Sequence, residues 1–229
     1  MIIDGKSENL QAKLNVLRAG VLGANDGIIS TAGLIVGVAG ATTDTTTILV
    51  SGLAALVAGA LSMAGGEYVS VSTQKDTEKA QIEKEKEELK DDYDGEIKEL
   101  ADLYIEKGLS AHLAKEVAVE LMKKDALTAH AEVELNIDPK NYTNPYSAAL
   151  SSMFSFSIGA VLPLLSILFF AESIRIAGTF LVVLVALSLT GYISAHLGGA
   201  KKLRAVLRNV GVGTITMLVT YFVGQMFHI

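Results

Sequence analysis

The residues of this chain that could do chemistry are carboxylates, one methionine and one histidine, and they fall into two groups. Asp26 sits inside LGANDGIISTAGLIVGVAGA, a run that otherwise reads as a membrane-crossing helix. Counted from Arg18 it is about eight residues deep, or roughly 12 Å along a helix. An aspartate at that depth costs on the order of 2.5 to 3.5 kcal/mol on insertion scales, so it is expected to face a protein-lined or watery interior and to mark a pathway. In a second, oppositely directed span ending near Val71, Met63 lies at the matching depth, and Glu67 is one helical turn nearer that end on the same face. A thioether between two carboxylates suits a borderline divalent transition ion better than magnesium or calcium, which take all-oxygen shells. Met63 taken alone reads more simply as core packing.

The second group lies further along. Glu85, Glu88, Asp92, Glu96 and Glu99 follow spacings of three and four, which would align five carboxylates on one face of a continuous helix, with Gly95 as a point of interruption. Like charges so placed repel unless cations screen them, which a bound metal would do; Lys84, Lys86, Lys90 and Lys98 make a solvated charged helix the alternative. His130 and Glu134, at i and i+4, offer one more pair of ligands. The chain has no cysteine, which excludes disulfides and thiolate metal sites. No P-loop, GxSxG or HExxH is present, and GGAKK at 198–202 lacks the Walker spacing, so neither ATP-driven pumping nor an enzyme is expected.

The elements that must hold these residues follow from hydropathy. Half of the 229 residues are hydrophobic yet 19% are charged, and the two kinds are segregated. Windows near 18–40, 48–71, 148–170, 174–197 and 205–227 are each long enough to cross a bilayer. The first is too long and glycine-rich for a signal peptide and stays in the mature chain. Gly33 and Gly37, Ala55 and Gly59, and Gly65-Gly66 predict close helix packing in lipid. Of the 25 acidic residues, 19 lie between Ser72 and Tyr146, against 11 lysines and no arginine, an excess that favours cations as partners and argues against nucleic acid. Helix formers over 72–135 predict two or three helices there, broken at Gly95 and Gly108. The last runs from Ser110 to about Leu135 and packs through Leu113, Val117, Leu121 and Leu127. Lys6, Lys13 and Arg18 before the first span, and Lys201, Lys202, Arg204 and Arg208 before the fifth, predict a cytoplasmic N-terminus, a cytoplasmic acidic segment and an external C-terminus. The expected fold is therefore an all-α integral membrane protein. Five transmembrane helices are divided as 1–71 and 147–229 around an acidic helical metal-binding domain at 72–146.

ANDGIIST in the first span, ALSMAGGEYVSVSTQ leaving the second, the long Glu-rich insertion and SFSIGAVLPLL in the third resemble the vacuolar iron transporter family over nearly the whole chain. The resemblance implies a homodimer with a three-helix cytoplasmic domain, exchanging cytoplasmic Fe2+ or similar divalent ions for protons. It implies that Asp26 and Met63 line a pathway at the dimer interface with Glu67 at its cytoplasmic mouth. Glu85, Glu88, Glu96, Glu99 and Glu134 match the glutamates that collect metal. Plant-type members carry methionines before the last of these glutamates; this chain has His130 and Ala131 there, with His130 as the substitute ligand.

The function expected is thus proton-coupled export of Fe2+, with Mn2+, Co2+ and Zn2+ as further ions, from the cytoplasm; no prosthetic group is involved. A carboxylate that loses H+ when a metal ion arrives couples the two fluxes in one group. The alternative is a membrane-tethered metal buffer or sensor that does not transport. With no organellar extension, a prokaryotic plasma membrane is the expected location.

Overall fold

A computed structural model describes residues 6–227, whose regular structure is all helical, with no strand among them. The elements are α1 (Lys6–Ala41), α2 (Thr45–Asp91), α3 (Tyr93–Glu106), α4 (Ala111–Val133), α5 (Pro145–Phe169), α6 (Arg175–Leu197) and α7 (Lys202–Met226), with a 3-10 turn at Glu172–Ile174 before α6. Five of these helices are long and apolar enough to cross a membrane: α1 from Leu17, α2, α5, α6 together with the preceding turn, and α7. They coincide with the five hydropathy windows, except that α2 runs on without a break for 47 residues. The chain divides into two compact units. One holds residues 70–144 with the first turns of α1; the other holds residues 12–69 and the chain from Pro145 onward.

In the apolar unit, α1 is the central helix. Ile28, Ala32 and Val36 pack against Val183, Ala186 and Leu187 of α6 and Met217 of α7. On another side Ile35 meets Ile48 of α2 and Leu164 and Ile167 of α5. Around Asp26 the approach of α1 to α5 is as close as backbones allow. A Cβ on Gly27 would collide with the carbonyl of Phe156, and one on Gly159 would collide with the carbonyl of Ala24. Small residues thus do in this bundle what they do in membrane interfaces generally, although Gly65 and Gly66, read from sequence as packing positions, have open space beside them. The loop between α1 and α2 is short and capped. Asp44 accepts from the Thr47 amide at 2.8 Å, and the Thr47 bonds hold its carboxyl below the usual range. Arg175, 8% exposed, closes the same loop by donating to the Thr45 hydroxyl at 2.9 Å and the Thr43 carbonyl at 3.4 Å.

In the acidic unit, three short polar side chains set where helices begin. Asp92, and not Gly95, ends the run from α2: it caps α3 by accepting from the Gly95 amide at 3.0 Å. Gly95 lies inside α3, where a Cβ would strike the Asp92 carboxylate, so the glycine makes room for the cap. The expected five-carboxylate face is therefore not one helix face; Glu85 and Glu88 stand on α2, and Glu96 and Glu99 on α3. Gly108 does break the chain as read. It adopts φ +98°, with its amide on the Ile105 carbonyl and that of Leu109 on the Tyr104 carbonyl, the arrangement that ends a helix in the left-handed region. Ser110 caps α4. Asp125 then interrupts α4 with extended backbone (φ −164°, ψ 88°) and restarts it, accepting from the amide and hydroxyl of Thr128. Before the interruption the buried line is Ala114, Ala118 and Met122, one residue on from the Leu113, Val117, Leu121 line expected; Leu113 is 48% exposed. The alanines let Leu100 and Ala101 of α3 sit close.

Candidate functional site

After the restart at Asp125, three consecutive residues of α4, Ala129, His130 and Ala131, are buried. Ala129 joins the core with Leu100 and Met122, and Ala131 joins one with Ile82 and Ile137, so the imidazole between them is held from both sides. His130 has no solvent exposure. Its Nε2 lies 3.0 Å from the main-chain carbonyl of Glu96. A carbonyl only accepts, so Nε2 carries the hydrogen and the tautomer is fixed by the backbone of α3.

The other ring nitrogen faces carboxylates from three helices. Nδ1 is 3.0 Å from Glu85 Oε1 of α2, 3.4 Å from Glu134 Oε2 just past α4, and 3.6 Å from Glu96 Oε2 of α3. Glu85 is 3% exposed, and its Oε1 has no hydrogen-bond partner despite the short approach to Nδ1. A neutral imidazole presents a lone pair at Nδ1, so the cluster is a convergence of electron donors that needs a cation at its centre, either a proton or a metal ion. Burial, with the neighbouring Glu134, Glu96 and Glu88 charges adding to it and His130 opposing, pushes the Glu85 carboxyl up to about 7; burial likewise raises Glu96. Among the described residues, Glu85, Glu96 and His130 are the group of three His, Asp or Glu side chains able to surround one ion, their ligand atoms lying within 4.8 Å of one another. Imidazole plus carboxylate oxygen suits Fe2+, Mn2+, Co2+ or Zn2+.

The other residues singled out from sequence are placed differently. Glu88, 43% exposed, pairs with Lys84 at 2.7 Å. Glu99 is exposed and lines a separate shallow cavity with Lys98, Asp102 and Glu106. In the apolar unit, Asp26 is half-buried at the α1–α5 crossing, and Met63 packs against the Ala60, Phe156, Ala160 cluster. Glu67 keeps a buried Oε1 that accepts no hydrogen bond and stands 3.5 Å from Arg18. Arg18 entered the sequence reading only as an orientation charge. Its spacing from Glu67, 49 residues across two helices, carries no local signal that could have paired them.

The VIT family model matches residues 17–225, which takes in all five spans and the acidic unit between them. The chain belongs to the VIT family. Over 97% of its length it is 42% identical to a vacuolar iron transporter of Acanthamoeba castellanii, covering 83% of that protein. It is 37% identical over 98% of its length to vacuolar iron transporter homolog 1 of rice, covering 79% of it. With vacuolar iron transporter homolog 2 of Arabidopsis thaliana it shares 34% identity over 90% of its length, covering 81% of that relative. This VIT-family chain is thus a multi-pass membrane protein of a transporter family and not an enzyme. The relatives' names place them in vacuoles of eukaryotes, so the expectation of a prokaryotic plasma membrane finds no support in them.

Proposed function

We propose that this chain moves Fe2+, with Mn2+ as a second cargo, out of the cytoplasm in exchange for protons. In this reading residues 72–146 form a cytoplasmic three-helix domain in which Glu85, Glu96, His130 and Glu134 collect the ion, while Glu88 and Glu99 add negative potential around it. Asp26 and Met63 carry the ion through the membrane, with Glu67 at the entrance and a second copy of the chain completing the path. The observation that carries the reading is the buried Nδ1 of His130 with carboxylates of Glu85, Glu134 and Glu96 at 3.0, 3.4 and 3.6 Å, an arrangement that a divalent ion completes. The names of the relatives support iron as the ion. Proton exchange follows from chemistry: a carboxylate must be deprotonated to ligate, so an ion arriving at a protonated carboxyl displaces its proton.

The test uses the full chain in proteoliposomes carrying a metal-quenched dye on one side and a pH dye on the other. Fe2+ or Mn2+ entry with opposite proton movement is the expected result. Metal binding without flux would leave a membrane-tethered buffer and overturn transport. Met63→Leu, which keeps the volume and removes the thioether, separates pathway from packing, since a packing role predicts unchanged flux.

A further inference from the structure

In the apolar unit, where α1 begins its span, α6 ends and α7 begins, three helix faces enclose a cavity of about 430 Å³. Its polar lining is Arg18 and Asn25 of α1, Ser194 of α6, and Arg208 and Asn209 of α7. Arg18 and Asn25, seven residues apart, share one face of α1. No carboxylate lines it, and Arg208 makes no ion pair among the described residues. The Oδ1 of Asn25 is buried without a hydrogen-bond partner. Leu17, Val21 and Leu22 line the same space with apolar surface.

Arg208 is six residues into the α7 helix, about 9 Å along its axis, which is a poor place for a free guanidinium in a membrane helix. The Arg208 guanidinium fork, which has no acid partner among the described residues, with amide and hydroxyl groups beside it and an aliphatic wall, matches a phosphate group attached to something apolar. We propose that this cavity binds the phosphodiester of an anionic glycerophospholipid, with the guanidinium of Arg208 as its principal contact and the leucine and valine wall along the start of the acyl chains. The shared chemistry is phosphate recognition, and a free phosphate is the other source of it. The site touches the transport reading only through Arg18. Arg18 stands 3.5 Å from Glu67 as well, so Arg208 is the cleaner residue to change.

The full-length protein is reconstituted in nanodiscs of phosphatidylcholine with or without phosphatidylglycerol, and lipid retained on extraction is counted by native mass spectrometry alongside the thermal midpoint. Wild type is expected to retain phosphatidylglycerol and to unfold at a higher temperature with it. Arg208→Gln is expected to lower retention about tenfold, as loss of a charge-assisted contact implies. Arg204→Gln, which removes an equal charge outside the cavity, is expected to change neither reading. Ser194→Leu narrows the cavity at constant charge and removes its hydroxyl, and is expected to lower retention as Arg208→Gln does, which keeps the test decisive if Arg208→Gln folds poorly. Inorganic phosphate is titrated in parallel: if it reproduces the midpoint shift and Arg208→Gln removes it, the ligand is soluble phosphate and the lipid assignment falls. Equal retention by wild type, Arg208→Gln and Ser194→Leu, or an Arg204→Gln loss as large as that of Arg208→Gln, overturns the site and leaves only general surface charge.

Discussion

Replacing Glu85 by glutamine keeps the shape of the side chain at the centre of the acidic unit and removes its charge. In the metal-free protein the Glu85 carboxyl is raised from 4.5 to about 7, burial being the first cause. A raised acid stabilises the folded unit while it is protonated, below pH 4.5. That contribution, on the order of 3 kcal/mol, is lost as pH climbs through about 7. The same proton competes with a metal ion. With a pKa of about 7 the competition weakens binding about elevenfold at pH 6 and about 1.1-fold at pH 8, so affinity should rise roughly tenfold between them, ~1.4 kcal/mol. An ordinary glutamate would give almost no change over that interval. Calorimetric titration of the full-length protein with Mn2+ at the two pH values reads this directly. Glu85→Gln is expected to bind more weakly at both and to lose the tenfold slope attributable to this group. A slope that persists in Glu85→Gln places the competing proton on another residue, and a flat wild-type profile refutes the burial argument altogether.

Asp26→Ala is expected to abolish metal flux in proteoliposomes while leaving the elution profile in detergent unchanged; transport at the wild-type rate would remove Asp26 from the pathway. Glu96→Ala, which takes away a carboxylate beside His130, is expected to weaken Mn2+ binding by roughly 1.5 to 3 kcal/mol, whereas Glu88→Ala and Glu99→Ala, both solvent-screened, should change it by less than about 1 kcal/mol in the same titration. Gly27→Val drives a side chain into the Phe156 carbonyl and is expected to prevent assembly of the α1–α5 pair, seen as loss of a monodisperse peak after solubilisation.

The five spans were legible because a bilayer imposes a length and a composition that hydropathy reads directly. The acidic unit was legible only in part. Glu85, Glu96, Glu134 and His130 all stand out in the sequence and lie together in the structure, but a three-and-four spacing looks the same whether the residues share one helix face or sit on two helices that face each other. Asp92 decided between these, and an aspartate in a run of nine charged or helix-favouring neighbours gives no warning that its carboxylate will cap a new helix instead of joining a stripe. Asp125 acts likewise in α4: it restarts the helix, and the three consecutive buried residues around His130 come after that restart. The pairing of Arg18 with Glu67 and the clasp of Arg175 on the 43–45 loop are long-range contacts that no local pattern encodes.

The central position of α1 has a consequence for biosynthesis. Of the five spans it leaves the ribosome before the others, and its packing partners Phe156, Val183, Leu187 and Met217 follow more than a hundred residues later. At about 5 to 20 residues per second, the interval between Gly27 and the α5 residue packed against it, Phe156, is on the order of 10 s. Throughout that time the nascent chain carries a glycine-lined face with no helix seated on it, and the Arg175 clasp, 130 residues downstream of Thr45, is not yet available to hold the first hairpin. A chain that stops before α5 therefore leaves the close-packing glycine face of α1 uncovered in the bilayer.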